Sequence, residues 1–457
     1  MEGKSKLSKP GLYAYTIGYT VGSGMFLTLP AAIGLTGASV ILAMLLACIM
    51  SFMSYFYILA VSSYAPIKGG EYGHIMFSAP TLIGGVFGLS FLLYIFSYAY
   101  FMDGALTYIG LFVPFIGEHV KLLTVVGILL FLVIDYIGLE LGAKVQEFMT
   151  GVLLICFLLF IVFGVQKIDF SVMTGTATPF FANGISGFAK AIALCIWVIA
   201  GIGGGAVTFV EEVNNPTRTI PKCILGVTTL LGIFSIAIVF VCAGAVPTEV
   251  SAQGLNAVAE VIFPGWLYVL FCIGGAAFAL LGTNMSLNVI FRKLILKESE
   301  DGFLPKFMGM TNKKGYPVVG MGVLLVVALV PYLTGLTVDN LVAYSDVPIY
   351  LVALVTNLYL YQLPKKYPQL WEKSILHMPL TLWYVVVSIA VACSALLMYC
   401  CLANYSLVEA LPILILVVVV FAWSFYRMKS GHVDSKALEK EKEEIIKDAL
   451  ESASQSN

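Results

Sequence analysis

Two glycine clusters interrupt apolar runs at places where a packed helix gains nothing from them. Gly22-Ser23-Gly24-Met25-Phe26 stands in the middle of the run from about Leu12 to about Ala38, and Gly201-Ile202-Gly203-Gly204-Gly205-Ala206 interrupts the run from about Ile185 to Val210. A helix opened inside a bilayer must bury its freed N–H and C=O groups in protein or turn them to a wet cavity. At the first break the N–H groups of Ser23, Gly24 and Met25 form the positive end of a half-helix, which suits a carboxylate. The carbonyls of Thr20 and Val21 before it, and of Trp197 and Ala200 before Gly201, carry the opposite partial charge. An α-amino acid, with its carboxylate and ammonium one carbon apart, matches both. The alternative for either cluster alone is small residues that let helices pack closely. Their matched places, in the first and sixth runs, point instead to the substrate site of an inverted-repeat transporter.

A third group is acidic. Tyr100, Asp103 and Thr107, spaced by three and then four, form one polar stripe on a helix. A carboxylate near the bilayer centre costs roughly 2.5 to 3.5 kcal/mol, so Asp103 is expected to meet a cation or to hold a proton, with a fixed pair to Lys190 as the structural alternative. Glu211 and Glu212, with Arg218 nearby, read as a latch on the inner gate at the end of the sixth run. Asp346 lies beside Pro348, a proline expected to kink the tenth run.

The elements that must position these groups follow from composition. The chain is 60% hydrophobic and 11% charged over 457 residues, far from the soluble average of about a quarter charged. Uninterrupted apolar runs predict twelve spans, centred near residues 24, 51, 98, 129, 155, 197, 234, 276, 326, 350, 389 and 415. All 25 lysines and arginines except Lys121, Lys167 and Lys190 then fall on one side, which the positive-inside rule assigns to the cytoplasm together with both termini. The first run reads as an anchor and not as a cleaved signal. A net charge of −1 argues against nucleic acid, and the nine cysteines, set within apolar runs, show neither metal nor disulfide spacing. No metal cluster or nucleophile–base set stands out around the four histidines, so neither an enzyme nor a cofactor is expected. Residues 167–184, with Thr174, Thr176, Thr178 and Pro179, read as an outer loop able to serve as a lid. Residues 292–316 read as a solvated helix, and the Lys/Glu-rich tail as a short helix or a disordered segment.

Several motifs together resemble the amino acid/polyamine/organocation transporters. They are the broken Gly22-Ser23-Gly24-Met25-Phe26, Pro66 with Gly69-Gly70-Glu71-Tyr72 after the second run, and Glu211-Glu212-Val213-Asn214-Asn215-Pro216 after the sixth. Asp301-Gly302-Phe303-Leu304-Pro305 and Gly315-Tyr316-Pro317 agree with them. The resemblance spans roughly residues 10 to 361 and implies a core of the LeuT type, a five-plus-five inverted repeat with helices 1 and 6 broken. It also implies that the glycine–serine turn holds the substrate carboxylate, that the carbonyls before each break hold the amine, and that Trp197, with Phe26 opposite, gates the site. The arginine/agmatine antiporters carry a neutral amide where Asp103 aligns, and their eighth-helix tryptophan has no counterpart in Leu281-Gly282-Thr283-Asn284-Met285. Thr283 and Ser286 are not the adjacent hydroxyls of sodium-driven members, and Leu153 stands where others place a lysine.

The expected fold is therefore an all-α integral membrane protein of twelve transmembrane helices. It divides into a cytoplasmic N-terminus (1–11), two five-helix repeats (12–166 and 167–361), helices 11 and 12 (362–427) and a cytoplasmic tail (428–457). The expected function is secondary transport of an amino acid or related amine across the plasma membrane, by exchange, facilitated diffusion or proton coupling through Asp103 or Asp346. A sensor or a channel on the same fold is the alternative. The substrate, the bilayer and a proton are the expected partners, with oligomeric state left open.

Overall fold

The computed structural model describes residues 7–22, 24–170, 180–335, 338–402 and 407–454, and every regular element among them is helical. Nine helices among the described residues are long and apolar enough to cross a membrane, and two shorter apolar ones, Gly184–Ile196 and Val318–Thr334, accompany them. Large apolar side chains such as Leu122, Leu129 and Val133 stand exposed on the outer helix Val120–Ile137. That is the pattern of a bundle whose solvent is lipid.

The centre of the bundle is α1 (Lys9–Thr20). Ser8 caps it by accepting the Gly11 N–H at 2.9 Å, and Pro10 in the first turn has no N–H to leave unsatisfied. Its neighbours are α2 (Leu139–Val165), α3 (Ile202–Val207) and α4 (Phe278–Asp301). Side chains of these neighbours seize its backbone: Gln146 and Thr150 both donate to the Ala14 carbonyl at 3.2 Å, Ser286 to Tyr15 at 3.0 Å and Thr283 to Gly18 at 2.9 Å. Carbonyls inside a helix rarely need second donors. Here they pin the segment that must hold its shape beyond its own hydrogen-bond ladder.

α1 ends at Thr20. Val21 leaves the helical region, and the chain resumes as a π-helical turn, Gly24–Thr28, before the helix Leu29–Thr36. The sixth run behaves likewise. Gly184–Ile196 stops short of Trp197, and Gly201, at φ +81°, adopts the left-handed conformation that favours glycine before α3 begins. Pro348 lies inside the helix Val338–Tyr359, which continues through it.

One expectation is corrected on the charged side of the bundle. Residues 292–301 are not a solvated helix but the end of α4, where Lys293 and Lys297 keep only 12% of their side chains exposed. Lys293 pairs with Glu212 at 2.7 Å and Lys297 with Asp301 at 2.9 Å and Glu441 at 2.7 Å. An alternation of lysine and acid fits a wet face or an ion-pair network equally well, and the deciding partners Glu212 and Glu441 are remote in sequence. Lys306, Lys313 and Lys314, further along, are exposed. The tail in turn forms the helix Ser435–Ser454, docked through buried Leu438 and Ala449 as well as through Glu441.

Candidate functional site

The two breaks touch each other. A Cβ placed on Gly24 would lie 2.1 Å from the Trp197 carbonyl oxygen, and one on Gly201 would lie 2.6 Å from the Tyr19 ring. Only glycine permits either approach. Gly22 is held the same way, its missing Cβ position 2.1 Å from the Thr283 hydroxyl. Between the breaks lies a cavity lined from the first run by Tyr19, Thr20, Gly22 and Gly24, and from the sixth run by Trp197, Ala200 and Gly201. Trp197 stacks on Tyr94 with ring centroids 6.0 Å apart and planes at 27°, and both rings line the cavity.

Most of the backbone site expected from sequence is thus gathered around one space. Val21 and Met25 are buried behind it, and Ser23 lies outside the described residues, as do Thr174, Thr176, Thr178 and Pro179. Phe26 does not face Trp197. It belongs to an aromatic cluster with Tyr108, Phe157 and Phe271, at centroid distances of 5.9 to 6.1 Å. Spacing placed Phe26 beside the break, but the π-helical turn rotates the ring away from the cavity.

A model of the amino acid permease family matches residues 7–425 of the chain. The chain belongs to that family. Among individual relatives, the cadaverine/lysine antiporter of Escherichia coli K12 is 31% identical over 135 residues, which are 29% of this chain and 30% of the antiporter. The histidine permease HisP of Lactococcus lactis is 22% identical over 73% of both chains, and the putrescine transporter PotE of Haemophilus influenzae 24% over 53% of this chain and 56% of its own. The chain thus spans less than a third of the antiporter it matches and somewhat over half of PotE. The family is one of membrane transporters and not of enzymes, and a multi-pass membrane protein is what the helices describe.

Asp103 lies apart from the space between the breaks. It lines a second cavity with Tyr100, Thr107 and Asn256, so the predicted polar stripe does face one opening. Its partner is Tyr332, whose hydroxyl donates to Asp103 Oδ2 at 2.6 Å. Lys190 is not paired with it. Asp346 has its side chain outside the described residues.

Glu211 and Glu212 do form a charged cluster, but with Lys68 at 3.2 Å and Lys293 at 2.7 Å respectively. Lys293 also donates to the Thr208 carbonyl at 2.6 Å, which ties α4 to the end of the sixth run. Arg218 is exposed and belongs to neither pair. Sequence proximity favoured it, whereas the turn at Asn214-Asn215, with Asn215 at φ +48°, carries it away.

Sequence reasoning missed Glu71. It opens the helix Gly70–Ser78, is 8% exposed, and lines the cavity between the breaks. The Tyr57 hydroxyl donates to its Oε1, and its Oε2 stands 2.6 Å from the Cβ position of Gly204. Burial pushes the carboxyl up to about 7, against the opposing pull of the Tyr57 hydrogen bond. The signal was present in Gly69-Gly70-Glu71-Tyr72, which reads as a turn with an incidental acid. Only the fold carries that turn back toward the broken helices.

Proposed function

We propose that this permease is a secondary transporter that moves an amino acid or related amine across the plasma membrane by alternating access. One observation carries the reading: a single cavity is lined by both broken segments, which meet beside it in close approaches that only glycine allows. The substrate carboxylate takes the N–H groups at the start of the Gly24–Thr28 turn, and its ammonium takes the carbonyls around Thr20, Val21 and Ala200. Trp197 and Tyr94 close over it. The architecture that goes with this reading has twelve spans, a five-plus-five inverted repeat over 12–166 and 167–361, two further helices over 362–427, and both termini in the cytoplasm.

Exchange is the preferred mode, in keeping with the antiporter among the relatives. Counterflow tests it. Proteoliposomes loaded in turn with each amino acid and with putrescine and cadaverine are assayed for uptake of the same radiolabelled compound. Saturable uptake that rises with internal substrate is the expected result. Binding without movement would identify a sensor, and uptake that neither saturates nor responds to internal substrate would identify a channel.

A further inference from the structure

Glu71 lines two spaces at once. One is the cavity between the breaks. The other is an adjoining pocket bounded by Tyr72, Gly204, Thr208 and Lys293. Among the described residues no lysine or arginine pairs with it, although such pairing is the usual way to keep a buried carboxylate. The remaining groups around it are accounted for. Tyr19, Tyr55, Tyr94 and Tyr350 share the cavity wall, and Tyr57 donates to Oε1. Lys293, across the adjoining pocket, is committed to Glu212 and the Thr208 carbonyl. On its own helix, His74 is buried with Nδ1 on the Gly70 carbonyl, and Tyr72 donates to Asp301 at 2.8 Å. Lys297, Asp301 and Glu441 form a separate cluster, and buried Glu298 packs against Gly88. The α3 segment that meets Glu71 is glycine, isoleucine, alanine and valine, with no charge to offer.

We propose that Glu71 is the anionic anchor of the cavity for a second ammonium, the side-chain end of a cationic amino acid or the far end of a diamine. This deepens the transport reading above and rests on it. In the empty site the carboxyl keeps its proton below about pH 7, since a charge there has the Tyr57 hydroxyl but no cation for a partner and burial raises its affinity for a proton. When the ammonium arrives, the O–H bond of Glu71 breaks, the proton leaves to water on the side to which the cavity is open, and the ammonium donates to Oε2. At Glu71 itself one positive charge arrives and one leaves, so the charge there is unchanged, while the first ammonium of a diamine adds its charge at the carbonyls before the breaks. Cation binding is thereby coupled to proton release.

The experiment uses the full-length protein in detergent, with putrescine, lysine and leucine as probes and a pH-indicator dye in weak buffer. Putrescine or lysine is expected to release about one proton per bound cation at pH 6 and close to none at pH 9, with no release on leucine binding. Glu71→Gln abolishes the release and weakens cation binding about tenfold or more. Tyr57→Phe, which removes the donor that favours the ionised form, retains binding and moves the release to higher pH. It supplies the test if Glu71→Gln does not survive purification. A purely structural role for Glu71 would move neither the proton count nor its pH midpoint. Cation binding without proton release, or release unchanged in Glu71→Gln, overturns the proposal. Counterflow of neutral amino acids alone would overturn it while leaving the transport reading intact, and no counterflow of any compound would remove that reading.

Discussion

Two residues decide how tightly the centre of this protein is drawn. Gly24 abuts the Trp197 carbonyl so closely that Gly24→Ala must push the broken segments apart, because the obstacle is backbone and cannot rotate away. The expected result is loss of substrate binding by about a hundredfold with a lowered melting temperature in detergent, measured by radioligand binding alongside thermal unfolding. A valine there would act through the same clash and not only by blocking the carboxylate. Glu71 makes a second prediction, about pH. Its folded-state pKa of about 7 lies above the ordinary glutamate value, so the folded state binds the proton more tightly than the unfolded chain. Its contribution to stability is therefore fully present at acid pH and is lost as pH rises from about 4.5 through 7, by on the order of 3 kcal/mol. The melting temperature of the protein without substrate should fall between pH 5 and 8, and Glu71→Gln should flatten that slope. An identical slope in the variant would place the titrating group elsewhere.

Among the elements, the junction of α4 with the end of the sixth run is the most heavily charged. Lys293 and Glu212 are both largely buried, and the lysine also satisfies the Thr208 carbonyl. Removing one partner of such a pair leaves an uncompensated buried charge, which costs about 3 to 5 kcal/mol. Glu212→Ala should therefore destabilise the protein strongly, whereas the double variant Glu212→Leu/Lys293→Met should recover much of the loss, as read by thermal unfolding. What could be read in advance at this scale was uneven. The broken runs were legible because glycine in the middle of an apolar span has few other uses. The ion-pair cluster was legible only in its acids, since Lys293 stands 81 residues from Glu212 and nothing local marks it as the partner. Phe26 illustrates the opposite failure: its position beside the break was evident, but a π-helical turn changes which way a side chain points, and periodicity assumes the ordinary helix. Asp103 was singled out by type and spacing, yet its neighbour Tyr332 lies on another helix, and distance from the breaks cannot be inferred from hydropathy.

For the molecule as a whole, the α4 hydroxyls that face α1 are spent on structure. Thr283 and Ser286 each donate to a carbonyl of α1, and they approach that helix one turn apart instead of side by side. A hard cation needs several oxygen ligands. Replacing sodium by choline is accordingly expected to leave counterflow within about twofold, and a strict sodium requirement would contradict this assignment of the hydroxyls.

The contact between Gly24 and Trp197 also bears on how such a protein can change shape. Two backbones that meet without an intervening side chain have no lubricating layer, so neither can slide past the other without a clash. The unwound segments must travel as one piece, and the rearrangement has to be absorbed where these helices adjoin the outer shell, for instance against the lipid-facing helix Val120–Ile137. Paired spin labels would make this visible. With one label near each break, the measured separation should stay fixed when substrate is added, while the separation from a label on Val120–Ile137 changes. On the proposed transport reading, a cradle that moves intact keeps the geometry of its grip on both faces of the membrane, so a solute is held by the same atoms when it enters and when it leaves.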